Sequence, residues 1–599
     1  MLKINKSMTV IHYQITPENP NSHLFGVKID IVTQPDNTYT LSLPAWLPGS
    51  YMIRDFAKNI INLSASDTAG SLIDLERKDK QTWQFTAQSN HVQIRYQVFA
   101  FDLSVRTAYL DSQRGFFNGS STFLAVEELA GHECRLTIEQ GINNNWRVAT
   151  GLPRSHETDL YQFGDYIAQD YQQLIDCPVA LGDFDVTEFS VCGIPHFLVF
   201  TSEHYGDRAR MVKDISKLCQ HHIDMFGEAP FSEYWFITHL QANGFGGLEH
   251  KNSTVLQAGR FDLPNPEMGE ELSDSYKTFL SLCSHEYFHA WNVCRLKPRE
   301  FIPYDLAQEV YTEQLWAYEG ITSYYDDLSL QRTSIVSADD YLAMLSKTAT
   351  RVYRGPGEFK QSIVESSFFT WTKFYQQGPD APNNIVSYYT KGSLFALWLD
   401  LTIRDKSNGL ASLDDLMRAM WQQFGKNEKG TITNDYLTVF NQLCGEDMSS
   451  DFYARLNAKS PYELTSELAQ VGVSFERAKF AKLNSLDTCV TSDIKPYFGA
   501  MYTALPTGLK ITSVIENSPA ANAGIAVNDI LIAVQNMKVT EASFAKLLGH
   551  MPLGSALTCH YFRDDQLLTG QLVVADSPLA GVKLSVVEPE RIGAWLATE

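Results

Sequence analysis

Residues 284–292 read Ser-His-Glu-Tyr-Phe-His-Ala-Trp-Asn, and His285-Glu286-x-x-His289 within them is the clearest piece of chemistry in the chain. On a helix, residues i and i+4 share a face, so His285 and His289 can offer two imidazole nitrogens to one metal ion. Glu286 lies one step round, placed to touch a water on that metal rather than the metal itself. With 15 His in 599 residues, the pattern should arise by chance in roughly 0.02 chains of this length. A catalytic zinc needs three protein ligands and an open position. A downstream helical carboxylate is a common third ligand, and Glu300, Glu309, Glu313 and Glu319 are the candidates. Glu319 is favoured because Trp316 and Tyr318 flank it and should turn it inward.

Two other stretches could serve such a centre. Residues 241–250, Gln-Ala-Asn-Gly-Phe-Gly-Gly-Leu-Glu-His, place three glycines just before Glu249. Glycines allow unusual backbone angles and close approach of a ligand. Glu249 could then face a cleft, or it could be a solvated edge residue. Residues 387–398 begin Ser-Tyr-Tyr-Thr-Lys-Gly and run into an apolar helix. A tyrosine hydroxyl near zinc can donate to a developing oxyanion, although most tyrosines at helix starts are amphipathic packing. Cys283 and Cys294 flank the metal motif, and both are expected to be small buried hydrophobes.

These side chains need elements to hold them. The run before the motif, from Tyr276 to Cys283, has no Pro or Gly and an apolar helical period, with Ser273 or Asp274 as cap. Upstream, His204 to Phe226 predicts a helix ended by Gly227, and Tyr234 to Leu240 a strand. Downstream, Arg295 to Tyr311 contains Pro298 and Pro303 and is expected to be a loop; a second helix should start near Thr312. Further helices are expected at 337–353, 414–424 and 434–444. From Met8 to about Val186 the pattern is strand-like, for example Thr9 to Ile15 and His91 to Val98, with turns such as Gln34-Pro35-Asp36-Asn37. That predicts an all-β domain, a sandwich. Within it, residues 43–51, Leu-Pro-Ala-Trp-Leu-Pro-Gly-Ser-Tyr, should form a tight loop on the core, with an interface to the catalytic segment as a second reading. From about Tyr497, strands at 509–514, 529–534, 557–562 and 568–574 with helices at 518–525 and 541–548 make a small β-rich module.

The composition is that of an ordinary globular protein, with 44% apolar and 20% charged residues. A net charge of −22 argues against nucleic acid or an anionic membrane as partner, since both attract basic surface. The first eight residues lack the apolar core of a secretory signal, and no apolar span of membrane length is present. Nine scattered cysteines, with no Cys-x-x-Cys, suit reduced thiols in a cytoplasm.

The motifs together resemble a known family. His285-Glu286-x-x-His289 followed by Trp316-x-x-Glu319-Gly320 resembles the gluzincin zinc peptidases, in particular the aminopeptidase N group. Gly246-Gly247-Leu248-Glu249-His250 is similar to that group's Gly-x-Met-Glu-Asn motif, and Tyr389-x-Lys391-Gly392 to its catalytic-tyrosine motif. A closer resemblance is to the glycyl aminopeptidase family of PDZ-containing zinc peptidases. Residues 43–51, Gly246 to His250, His285 to Asn292, Trp316 to Gly320, and the PDZ-like run Ser513-Val514 through Ser518-Pro519-Ala520 to Asp529-Ile530-Leu531 carry it. The resemblance implies a multidomain α+β protein: an N-terminal β domain over 1–186, a thermolysin-like zinc peptidase domain over 187–392, an α-helical portion over 393–486, and a PDZ-like domain over 487–599. It implies one Zn²⁺ per chain on His285, His289 and Glu319, with Glu286 as general base and Tyr389 as oxyanion donor. Glu249, with Gly246 and Gly247, would bind a peptide with a free N-terminus, and small first residues, Gly or Ala, are implied. Other readings are an endopeptidase to which the PDZ module delivers C-terminal tails, or an inactive peptidase-like scaffold. The PDZ-like module could take a peptide ligand, with Tyr497-Phe498-Gly499-Ala500 as its carboxylate loop. Two departures stand out. The gap from His289 to Glu319 is 319 − 289 − 1 = 29 residues, longer than is usual in the aminopeptidase N group, and His250 replaces that group's Asn.

Overall fold

The computed structural model describes residues 10–141 and 145–596, so the expectations for the first eight residues and for Thr9 lie outside it. The chain divides into two compact units. One runs to Val310 and adds Phe424–Gly430; the other holds Tyr311–Gln423 and the chain from Thr431 onward.

The first unit opens with three β-sheets. The largest has seven strands in the order Gly164–Ala168, Cys134–Ile138, Ile11–Asn19, Leu24–Val32, His91–Phe99, Ile60–Asp67, Leu72–Ile73. Its strands show the alternation expected of a sheet with one buried face: Ile11, Tyr13 and Ile15 point inward while their neighbours face out. Two four-stranded sheets complete the domain, one built around Val179–Gly182 and Arg114–Phe117, the other around Thr38–Ser42 and Thr82–Thr86. Tyr13, Leu41, Phe85, Phe116 and Val179 belong to one shared hydrophobic core.

That core continues into a five-stranded mixed sheet, ordered Asp185–Val191, Ile194–Phe200, Tyr234–Gln241, Ser253–Gly259, Phe245–Glu249. Phe197, Val199, Trp235, Ile237, Leu248 and Val255 belong to the same buried cluster as the β domain. The three central strands run parallel, and Phe245–Glu249 returns antiparallel along one edge. The helix Arg208–Phe226 ends at Gly227 in the left-handed region, φ 81°, as the glycine predicted. The metal-motif helix is Asp274–Phe288, and Ser273 rather than Asp274 caps it by accepting from the Tyr276 N–H. The segment after it holds a single short 3-10 turn, Arg299–Phe301, as a proline-rich loop should.

The second unit begins with a difference from expectation. The predicted helix from Thr312 starts instead as a five-residue π-turn, Trp316–Gly320, followed by the α-helix Ile321–Arg332. The π-turn packs against the start of the helix Thr390–Lys406: a Cβ on Gly320 would lie 2.7 Å from the Gly392 backbone. Two glycines let these backbones touch beside the widened turn. The helices Ala338–Tyr353, Leu413–Gln423 and Thr433–Cys444 follow, the first with the capping box Ser337/Asp340 and the last ended by Gly445, φ 72°. Beyond them, Ala500–Leu505, Gly508–Val514, Ile530–Val534, Ala556–Arg563 and Gln566–Val573 form an antiparallel sheet in that order. The helix Glu541–His550 packs on it through Phe544 and Leu548.

Candidate metal centre and active site

The helix Asp274–Phe288 is anchored by its non-metal face. Tyr287 stacks on Phe236 with centroids 5.8 Å apart, and its hydroxyl lies 2.9 Å from His196 Nε2. Ser284 Oγ lies 2.9 Å from His222 Nε2, and the Tyr234 hydroxyl donates to the Glu286 carbonyl at 3.3 Å. Beyond the helix, Arg295 donates to the carbonyls of Ala290, Lys251 and Pro230 at 2.7–2.9 Å. The guanidinium thereby ties the end of the motif to the sheet.

On the other face, the rings of His285 and His289 stand 4.6 Å apart and nearly perpendicular. His289 Nδ1 lies 2.7 Å from the Asn292 carbonyl. A carbonyl only accepts, so Nδ1 carries the proton and Nε2 keeps its lone pair for a metal. One potential ligand atom from each of His285, His289 and Glu319 lies within 4.8 Å of the other two, and among the described residues no other such group occurs. Glu300, Glu309 and Glu313 do not join it. A tetrahedral zinc with ligand distances near 2.0–2.2 Å needs donors of this type at about this spacing, reached with small side-chain rotations. The donor set therefore fits zinc. Cys283 and Cys294 stay outside it, and burial pushes both thiols well above their ordinary range, which keeps them protonated.

Glu286 is buried, 4% exposed, and lies against the edge strand Phe245–Glu249. A Cβ on Gly247 would sit 2.6 Å from Glu286 Cγ and closer still to the carboxylate. Only glycine allows that approach. Gly246 is different: its φ of +149° is a glycine conformation, while the space around it is open, the nearest atom being Gln257 Oε1 at 3.8 Å. Glu249, at the end of the strand, is buried rather than solvated. Its carboxylate faces Gly49, φ +80°, where a Cβ would meet both oxygens at 2.5 Å.

Gly49 comes from the loop 43–51, and sequence reasoning gave that contact only as a second reading. The loop is held down by Ala45 N–H donating to the Leu306 carbonyl at 2.7 Å, Trp46 Nε1 to the Asp305 carbonyl at 2.8 Å, and Tyr51 stacked on Phe301. Two features were missed outright. Arg106 Nη2 donates to the Gly247 carbonyl at 3.4 Å, and the Leu103 carbonyl accepts from Gln241 and Gln257. His250 Nδ1 meets Asp176 at 3.2 Å, and that imidazole contributes to holding the Asp176 carboxyl below its ordinary range against the opposing effect of burial. No periodicity in the sequence announces either pair.

Tyr389 immediately precedes the helix Thr390–Lys406, whose Gly392 touches the π-turn carrying Glu319. Phe374 stacks on its ring at 5.5 Å, and Ser387 Oγ accepts from its N–H at 3.1 Å. Burial raises the neighbouring Tyr388 hydroxyl well above its usual pKa, with Glu319 adding to the effect. Tyr388 thus stays neutral, and its hydroxyl shares a hydrogen bond with Thr370 Oγ1 at 2.9 Å.

The chain was compared with known proteins. Residues 12–183 match the Peptidase M61 N-terminal domain, 278–395 the M61 glycyl aminopeptidase, and 470–574 a PDZ domain. A crystal structure of an aminopeptidase N family protein from Idiomarina loihiensis is 41% identical, covers 98% of this chain and 100% of its own, and superposes with a TM-score of 0.95. An M1 zinc metallopeptidase from Deinococcus radiodurans is 11% identical over 76% of this chain and 95% of its own, with a TM-score of 0.47. Yeast LTA4 hydrolase in complex with bestatin is 14% identical over 78% and 70%, with a TM-score of 0.46. Likenesses that distant carry nothing further. No curated protein matches. The α+β architecture and the donor set define a zinc metallopeptidase of the His-Glu-x-x-His class. More particularly, the chain belongs to the M61 glycyl aminopeptidase family, and its C-terminal part carries a PDZ domain.

Proposed function

We propose that the protein removes single residues, Gly or Ala first of all, from the free N-terminus of peptides, using one zinc ion per chain held by His285, His289 and Glu319. The observation that carries the reading is the buried Glu249 carboxylate, which shares its strand with the glycine pressed against Glu286. A carboxylate sheltered from water pairs strongly with a substrate ammonium, and a charge pair at that point fixes how far into the chain the scissile bond falls. Gly49 packs against one side of Glu249 with backbone alone, an approach that only glycine allows.

When bound, zinc supplies Lewis acidity: it polarises a carbonyl and acidifies water to a pKa of about 7. Glu286 takes the proton of the attacking water and hands it to the leaving amine. Its backbone is fixed by Tyr234, so the carboxylate swings only about its own side-chain torsions. The Tyr389 hydroxyl donates to the oxyanion that develops at the scissile carbonyl; losing one such donor typically costs about 10²–10³ in rate. Gly246 and Gly247 let the edge strand lie close to substrate, with Arg106 on the Gly247 carbonyl at that edge.

The test compares glycyl and alanyl peptides with their N-acetylated forms on wild-type protein and on Glu249→Ala. Wild type should cleave only the free forms, and Glu249→Ala should lose most of that preference. Equal turnover of acetylated peptides would assign the protein to the endopeptidases instead.

A further inference from the structure

The PDZ domain holds a contact that a peptide ligand would otherwise make. Its edge strand Ala500–Leu505 pairs on one side with Gly508–Val514, Tyr502 lying opposite Ile511. On the other side, the Tyr502 N–H donates to Asn484 Oδ1 at 3.3 Å, and Asn484 Nδ2 donates to the Tyr502 carbonyl at 2.9 Å. A side-chain amide here reproduces the N–H and C=O pair that one residue of an added strand would present. In a strand, the residues whose backbone groups face one edge alternate, so Tyr502 and Ala504 offer the docking positions, and Asn484 holds the first of them.

Asn484 does not arrive there by chance of a long side chain. It lies in the loop 481–487 that joins the paired strands Val473–Phe480 and Thr488–Cys489. The loop is closed by Ala481 N–H donating to the Asp487 carbonyl at 2.8 Å and by Asp487 N–H donating to Ser485 Oγ at 3.0 Å. Leu483 packs against the PDZ core, as does Leu547 of the helix Glu541–His550. With Asn484 seated on both backbone groups of Tyr502, an added strand finds neither of them free.

We propose that the loop 481–487 is an internal tenant of the PDZ peptide edge, and that an extended peptide with a free C-terminal carboxylate pairs with Tyr502 and Ala504 only by displacing Asn484. This rests on the PDZ domain's taking peptides by strand addition. The ion pairs Lys347–Asp487 and Lys482–Asp487, at 3.8 and 3.7 Å, are exposed and weak, so they add little to what holds the loop in place.

The experiment uses the full chain, wild type and Asn484→Ala. The first arm is amide hydrogen exchange over 500–505. Asn484→Ala should speed exchange at Tyr502 by roughly tenfold, the factor set by one lost net hydrogen bond, and unchanged exchange there overturns the proposal. The second arm is binding of a heptapeptide with fluorescein on its N-terminus, which also blocks aminopeptidase cleavage, and a free C-terminal carboxylate. Asn484→Ala should bind it roughly tenfold tighter than wild type, and equal affinities overturn the proposal. If neither protein binds the peptide, strand addition to this PDZ domain fails while the exchange arm still decides whether Asn484 holds the edge.

Discussion

Replacing Gly247 by alanine isolates the position of one carboxylate. The new Cβ would stand 2.6 Å from Glu286 Cγ, and ordinary contact begins at 3.4 Å, so Cγ alone must retreat by about 0.8 Å (3.4 − 2.6). The carboxylate, closer still, must travel farther. Gly247 has no left-handed φ, so alanine brings no backbone strain, and the group that yields is the far end of a flexible side chain. The fold should therefore hold, and zinc content should stay at the wild-type level, because Glu286 is not one of the three donors. A displacement of about 1 Å in a reacting group costs about 10²-fold in rate, or about 2.7 kcal/mol of barrier. The assay is kcat on alanyl-anilide, with metal content and Tm measured on the same samples. Gly246→Ala serves as the comparison: it meets open space but keeps a glycine-only φ of +149°, so it should lower Tm and, lying along the substrate, act on KM more than on kcat. Wild-type kcat in Gly247→Ala would refute the reasoning, because it would mean that Glu286 can leave its place without cost.

Glu286→Gln should keep zinc and lose nearly all turnover, whereas Glu319→Ala should lower zinc content itself; elemental analysis beside an activity assay separates the two, and a full zinc complement in Glu319→Ala reassigns the third ligand. Gly49→Ala places a methyl 2.5 Å from both Glu249 oxygens and should raise KM for free-amine substrates more than it changes kcat, with an unaltered KM counting against Glu249 as the anchor. Buried His239 titrates near 3 and His196 near 4, both lowered chiefly by burial from an ordinary 6.5. The unfolded chain takes those protons first, so the stability they confer is complete above about pH 6.5 and falls by about 1.4 kcal/mol per pH unit for each histidine as the pH drops toward its folded value. His239 Nδ1 lies 3.0 Å from Thr201 Oγ1, so His239→Asn keeps a partner there and should lose less stability between pH 7 and 5 than wild type; parallel denaturation curves would refute this.

The local parts of the site were legible because their chemistry is set by spacing along one element. Two imidazoles at i and i+4 need only a helix, and Ser273, Gly227 and Gly445 marked helix ends through capping rules that act within a few residues. Strands such as Ile11–Asn19 announced themselves by alternation. Contacts across the chain were a different matter. Four glutamates satisfied the helical logic for a third ligand, and only folding brings the Glu319 carboxylate beside both imidazoles. The π-turn at Trp316–Gly320 lies where Gly320 meets Gly392, a contact that no window of sequence contains. Gly49 against Glu249, Gly247 against Glu286 and Asn484 on Tyr502 join residues 200, 39 and 18 positions apart. A periodic pattern reports which side of an element faces the core; which foreign backbone arrives at that side is decided by packing, where a single missing Cβ can admit or exclude a neighbour.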